Sequence, residues 1–372
     1  MDMRTAEEIC QDYFGTTNTS EIHGWMYKFY YNICHETVSE ETCNLSLFPY
    51  RAPGLLDTPL PTVADIVAAR PVANIHDMHA HVWPVRYTSC HISSLTSLTH
   101  YQEAENLLFL EKNSTVRVPK LYLATTCKSP ELFPHPSYCA RLNTGYYMIL
   151  ERIHGETLMS AEKGGEELSP RICRKVGELL GEQIRRLRSI VPEDPNHFGR
   201  VGGRKYQVIP PFFYPPSKDP SDRGPFNYED VTQRLINCGK TEAALCLDDW
   251  HYFMRLLFKD ARKVLLDMAK PEDRLPVLSH MDAGGGNMII KFVRDKEREI
   301  RDVEEVVLID WEYMSWMPSW YESAEMLKAT FYGETTELGI KQEVLSVMGR
   351  VNMILISFVA VAMKNAVFRT VS

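Results

Sequence analysis

Two stretches decide how this chain reads: Ser279-His280-Met281-Asp282-Ala283-Gly284-Gly285-Gly286-Asn287, and further on Val307-Leu308-Ile309-Asp310-Trp311-Glu312. The first has the form H-x-D-x4-N. The second is an apolar strand that ends in Asp, with Asp310 standing 23 positions after Asn287. A loop carboxylate such as Asp282, set beside an alcohol hydroxyl, can orient it and accept its proton. Asn287 offers an amide oxygen and Asp310 a carboxylate, and hard oxygen donors suit Mg²⁺. His280 belongs to the same catalytic-loop set and reads as a brace, holding the loop by a hydrogen bond. Glu312 reads either as a supporting acceptor or substrate contact, or as a simple exposed or capping residue. The plainer alternative for the loop is a Gly-rich turn with a capping Asp between two strands.

Working outward, the flanks support a loop between strands. Val277–Ser279, Met288–Val293 and Val306–Ile309 read as strands, and the charged turn from Arg294 to Asp302 joins the last two as a hairpin. Upstream, Val118–Leu123 and Tyr146–Leu150 read as strands, the second running into Glu151-Arg152-Ile153-His154-Gly155. Tyr101–Lys112 reads as an amphipathic helix with Ala104, Leu107, Leu108 and Phe109 on its apolar side. Taken on its residues alone, Glu103 falls on the solvated face of that helix. Ser169 and Pro170 mark a clear helix start, Ser as N-cap and Pro at the first helical position. Residues 199–226 are rich in Gly and Pro and form a long irregular connection, usually functional in a compact protein. Helices follow at about 229–237 and 243–269. Residues 1–50 read as helical, with Ile9, Tyr13 and Trp25 among the apolar positions. Trp311, Trp316 and Trp320 read as core. The whole is a mixed α+β chain, with short strands early and helices late. One base and two oxygen donors, on a loop between paired strands, is the layout that phosphoryl transfer needs.

Composition narrows the classes. The chain has 372 residues, 44% hydrophobic and 24% charged, ordinary for a globular protein. A net charge of −8 gives no footprint for nucleic acid. Arg185-Arg186-Leu187-Arg188 reads as a solvated helix face. Nine cysteines without a CxxC point away from a metal cluster and towards reduced thiols in a cytoplasmic protein. The longest apolar run, Met353–Met363, is too short to span a bilayer and reads as a buried C-terminal helix, so no membrane role is expected.

These motifs together resemble the aminoglycoside phosphotransferase family of protein-kinase-like small-molecule kinases, in particular its large fungal-type branch. The family loop has the form H-G-D-L-x-x-x-N, and its metal segment reads I-D-W-E, as Ile309–Glu312 does here. Glu103–Leu110 followed by Val118-Pro119 resembles the family's αC-like helix and the next strand. Glu151–Leu158 resembles the hinge beside the adenine, and Phe198–Gly203 with Gly224–Phe226 resembles the stretch before the acceptor-site helices. The resemblance covers roughly residues 100–330. It implies a bilobal fold with a small β-rich N-terminal lobe and a larger, mainly helical C-terminal lobe. The expected organisation is a helical extension over 1–70, the N-lobe over 71–153 and the C-lobe over 154–372. It further implies ATP and Mg²⁺ as cofactors and a small-molecule hydroxyl as acceptor. Asp282 would be the base, Asn287 and Asp310 the metal ligands, Glu103 the helix Glu, and Glu151, Arg152 and Ile153 the adenine-lining backbone.

Two departures stand out. No Lys occurs between Lys28 and Lys112, where the family's phosphate-gripping Lys belongs, and Arg86 is the nearest cation in an apolar stretch. Residues 71–95 contain no Gly, although a loop that covers phosphates usually needs it. A second reading therefore stands beside the kinase: a pseudokinase-like binding protein of the same fold with little transfer activity. A third is another transfer or hydrolysis enzyme on this scaffold. Glu229, Asp230, Asp248 and Asp249 are candidates for receiving a cationic acceptor. Oligomeric state is open.

Overall fold

The computed structural model describes residues 4–34, 38–53, 80–85, 88–93, 99–127, 145–207, 210, 213, 223–245, 252–329, 335–349 and 352–365. In chain order the helices and strands are α1 (Ala6–Phe14), α2 (Thr19–Cys34), β1 (Tyr50–Arg51), β2 (Ala80–Val85), β3 (Thr88–Ser93), α3 (Thr99–Asn113), β4 (Leu121–Cys127) and β5 (Gly145–Glu151). Then follow β6 (Glu156–Thr157), α4 (Leu158–Lys163), α5 (Pro170–Arg188), α6 (Tyr228–Leu245), α7 (Tyr252–Arg262), β7 (Pro276–Ser279), β8 (Met288–Arg294), β9 (Ile300–Leu308) and β10 (Ser315–Pro318). Helices α8 (Tyr321–Ala329), α9 (Thr335–Met348) and α10 (Met353–Asn365) complete the described elements.

The N-terminal lobe is an antiparallel sheet of order β1-β4-β5-β3-β2 with α3 packed on it. Pro84 lies in β2, which is an edge strand among the described residues and so tolerates a residue without an N–H. Ala104, Leu107 and Leu110 of α3 are buried against Leu121, Ala124, Met148 and Leu150. The same core continues into the C-terminal lobe through α5, β8, β9 and α9. A second core gathers α6, α7, α8 and α10.

Helix α5 starts as its sequence predicts: the Ser169 Oγ accepts the Ile172 N–H and Pro170 is the first helical residue. Two glycines one turn apart, Gly177 and Gly181, let α9 press against it. A Cβ on Gly177 would stand 2.6 Å from the Ile340 carbonyl oxygen, and one on Gly181 would stand 2.7 Å from Val347 Cβ. Nothing in the sequence pattern announces this close contact.

Several expectations are corrected. Residues 229–245 form one helix, not a helix ending at 237. Asn237-Cys238-Gly239 looks like a helix end, but Cys238 is buried and the bare Gly239 lets the Phe258 ring approach. Packing overrides the local stop signal. The strand expected at 118–123 begins at Leu121, and the hairpin turn is shorter than expected because β9 starts at Ile300. Strand β10 went unread because all four of its residues are buried and give no alternation. Arg188 is not on a solvated face: it is half-buried, and its guanidinium donates to the Ser319 carbonyl at 2.8 Å. Helix α10 buries Leu355, Ile356, Val359 and Ala360, as expected. Among the described residues no helix is long and apolar enough to cross a membrane.

The first fifty residues join both lobes. Helices α1 and α2 pack Ile9, Cys10, Phe14, Ile22 and Met26 against Ala244 of α6. Arg234 of α6 donates to the Tyr13 hydroxyl. Residues 40–42 then run beside 204–207, where the Lys205 N–H donates to the Glu41 carbonyl at 2.9 Å and Thr42 donates to Gln207. Phe48 stacks on Tyr101 of α3, and β1 finally adds to the edge of β4. Beneath this strap lies a buried ion pair, Arg200 with Glu105 of α3, joined by Arg204 at 3.4 Å.

Candidate active site

Two strand pairs hold the loop from His280 to Asn287 at its ends. Ser279 of β7 pairs with Ser315 of β10, and Met288 of β8 pairs with Leu308 of β9. One further bond, from the Ile309 N–H to the Asn287 carbonyl at 3.0 Å, carries the second ladder up to the residue before Asp310. The sequence pattern of strand, loop, hairpin and terminal Asp therefore closes into one small volume.

Within it the Asn287 Nδ2 donates to the Asp282 carbonyl at 3.0 Å and to the Asp282 carboxylate at 2.9 Å. The amide nitrogen is spent on Asp282, so the Oδ1 is the Asn287 atom suited to a cation. Asp282 itself is exposed. His280 is buried, with its ring 4.4 Å from the Trp311 ring. Its Nδ1 accepts the Asp282 N–H at 3.3 Å and its Nε2 lies 3.0 Å from the Ile309 carbonyl. An accepting Nδ1 fixes the tautomer: the proton is on Nε2 and is donated to Ile309. Burial pushes the imidazole down to about 4, against the Ile309 bond, so His280 is neutral at pH 7. It links the loop of Asp282 to the strand end that carries Asp310.

Both key carboxylates adjoin a backbone in the left-handed region. Met281 has φ 77° and Asp310 has φ 64°. Non-glycine residues in this region concentrate at functional sites because the surroundings must hold them there. Glu322 of α8 does so for Met281, accepting its N–H at 3.3 Å. Burial raises Glu322 to about 7, with the Met281 and His280 peptides and Arg188 pulling the other way.

The three glycines of the loop all have ordinary backbone angles. The Gly285 carbonyl accepts the Met159 N–H, and a Cβ there would meet Leu158 at 3.4 Å. The loop is thus packed under the start of α4 rather than loose.

Glu103 corrects the reading of its residue alone: it is buried, not on a solvated face. Its Oε1 accepts the Trp311 N–H at 3.3 Å. Burial, and then the Asp310 charge, push its carboxyl up to about 8, and only the Trp311 N–H opposes them. Gln102 and Asn106 were missed altogether. The Gln102 amide donates to the Glu312 carbonyl, and the Asn106 amide donates to the Trp311 carbonyl at 2.7 Å. A polar cluster at i, i+1 and i+4 on an otherwise amphipathic helix was the available signal.

The donor set fits a hard cation. Asn287 and Asp310 provide oxygen, and the Asp310 charge that adds to the burial of Glu103 is what a divalent ion would offset. Among the described residues no group of three His, Cys, Asp or Glu could hold a metal alone. Mg²⁺ commonly takes one or two protein ligands and completes its shell with phosphate and water.

Glu151 sits apart from this cluster, at the end of β5. Its N–H donates to the Lys120 carbonyl, and Arg117 grips its carboxylate with two bonds of 2.7 Å. Burial alone would raise the Glu151 carboxyl; Arg117 and the Lys120 N–H outweigh it and hold it low. Arg152 and Ile153 follow, half-buried, before Gly155, where a Cβ would stand 2.5 Å from the Ile290 carbonyl oxygen. Glu229 pairs with Arg262 at the surface and Asp230 is exposed on the first turn of α6. Arg86, Asp248 and Asp249 lie outside the described residues.

The sequence model of the APH phosphotransferase enzyme family matches residues 90–343. No curated protein sequence matches. Among solved structures, a thermostable mutant of aminoglycoside phosphotransferase APH(4)-Ia in its apo form aligns at TM-score 0.41 and 14% identity, over 78% of this chain and 84% of the other. A thermostable mutant of the same enzyme in ternary complex with AMP-PNP and hygromycin B aligns at TM-score 0.43 and 13% identity, over 79% and 83%.

Proposed function

Because the chain belongs to the APH phosphotransferase enzyme family, we propose that it is an ATP-dependent small-molecule kinase, moving the γ-phosphate to a hydroxyl. The observation that carries this reading is the joint placement of Asp282, Asn287 and Asp310 by one bonded framework. In the proposed reaction the acceptor hydroxyl sits against the exposed Asp282 carboxylate. Its oxygen bonds to the γ-phosphorus while the bond to the β–γ bridging oxygen breaks and ADP departs. The hydroxyl proton passes to Asp282. Asn287 Oδ1 and Asp310 would hold Mg²⁺, which would supply neutralisation of the phosphate charge. Glu151, Arg152 and Ile153 border the adenine, and the Glu151 N–H is committed to the Lys120 carbonyl.

The pseudokinase-like reading draws on a specific observation: with no Lys between positions 28 and 112, Glu103 is engaged by the Trp311 N–H. Calorimetry separates the two. ATP binding that needs Mg²⁺ and disappears in Asp310→Ala, followed by ADP release with a hydroxyl acceptor, supports the kinase. Mg²⁺-dependent binding without ADP formation across an acceptor screen supports the second reading. No binding at millimolar ATP sinks the kinase.

A further inference from the structure

The segment that carries Asp310 is held from two sides. Before it, the Ile309 N–H and C=O are taken by Asn287 and His280, both at 3.0 Å. After it, the hold comes from one turn of α3. Glu103 accepts the Trp311 N–H at 3.3 Å, Asn106 donates to the Trp311 carbonyl at 2.7 Å and to the Glu312 carbonyl at 3.4 Å, and Gln102 also donates to the Glu312 carbonyl. Three side chains, all buried, thus meet three backbone groups of the two residues that follow a left-handed Asp. Buried amides are expensive to place without partners, so a helix does not put Gln and Asn here for solubility.

The fixed geometry has a direction. A non-glycine residue at φ 64° is strained and returns to ordinary angles when its surroundings let go. Releasing the Trp311 peptide would let the Asp310 backbone leave this conformation and carry its carboxylate with it. The same helix is pinned from its other flank by the buried Arg200–Glu105 pair, so α3 is itself a fixed reference.

We propose that Gln102, Glu103 and Asn106 are positioning residues for Asp310, so that helix α3 sets the metal affinity of the nucleotide site. This rests on the phosphotransferase reading. On this account Glu103 acts as a hydrogen-bond acceptor for the backbone, and not through its charge as counter-ion to a phosphate-gripping cation.

The test uses the full chain, Mn²⁺ as the metal probe and AMP-PNP as nucleotide. Metal binding is followed by electron paramagnetic resonance, and amide exchange is followed over residues 309–312. Asn106→Leu should weaken Mn²⁺ at least tenfold and speed exchange of that segment, while AMP-PNP binding in EDTA stays within twofold. Glu103→Gln, which keeps an acceptor oxygen, should stay within threefold of the native chain, whereas Glu103→Leu should follow Asn106→Leu. Gln102→Leu supplies a second release of the clamp, and melting temperatures establish that each variant folds. Unchanged Mn²⁺ affinity in both Asn106→Leu and Gln102→Leu overturns the proposal. So does a Glu103→Gln as damaged as Glu103→Leu, which would show that charge is what matters. A native chain that binds no Mn²⁺ with AMP-PNP sinks the phosphotransferase reading and the clamp's role with it; native binding with indifferent variants sinks the clamp alone.

Discussion

At Met281 the chain keeps a left-handed backbone where the family loop has Gly, and the buried Glu322 carboxyl holds that strained peptide. This arrangement has a pH signature. Glu322 is raised to about 7, so between roughly pH 4.5 and 7 the folded protein keeps a proton that the unfolded chain has lost. Stability falls as pH rises through that window. Glu322→Gln keeps an acceptor for Met281 and removes the ionisation, so its stability relative to the native chain should grow from pH 5 to pH 8 by roughly 2 kcal/mol. Denaturant titrations at the two pH values check this, and parallel behaviour would refute it. His280 works in the opposite sense. Lowered to about 4, it stays neutral when folded while the unfolded imidazole protonates below about 6.5, so stability falls as pH drops through that range. Asp282→Asn removes the proposed proton acceptor and should reduce kcat by about 10²–10⁴ with nucleotide affinity nearly unchanged. Steady-state kinetics beside calorimetry will show whether the loss lies in kcat.

At the scale of elements, α5 and α9 meet through Gly177 and Gly181. Alanine is the better helix former by about 1 kcal/mol, yet its Cβ would collide with backbone or Cβ atoms of α9. Gly177→Ala should therefore destabilise by about 1–3 kcal/mol, read as a lower denaturation midpoint. Gly284→Ala, whose Cβ would come no closer than 3.8 Å to its nearest neighbour, the Asp282 carboxylate, should be near neutral. Elements with a local grammar were legible in the sequence: the Ser169-Pro170 start, the hairpin, and the placing of the D-x4-N loop between strands. Other features depend on partners distant in the chain. Gln102, Glu103 and Asn106 look like a solvent face because periodicity equates polar with exposed. They are buried because the groups they serve are backbone, some 205–210 residues later. The glycine contact between α5 and α9 was hidden for the same reason.

At the scale of the molecule, the strap of residues 38–53 and helix α3 converge on Arg200 and Glu105, both nearly inaccessible. Burial pulls the Arg200 guanidinium down and the Glu105 carboxyl up, and each is countered mainly by the other. Arg200→Met leaves a buried carboxylate held by Arg204 and the Asn44 N–H and should cost about 3–5 kcal/mol. The double variant Arg200→Met with Glu105→Leu should recover a large part of that loss, as a double-mutant cycle in urea will establish.

The strap also imposes an order of events during synthesis. Helices α1 and α2 leave the ribosome long before Ala244, against which they bury, and β1 before the β4 edge it completes. Until then Ile9, Phe14, Ile22 and Met26 form an apolar surface without a cover, which chaperones recognise and which invites aggregation. The docking of this segment thus waits on partners that lie much later in the chain.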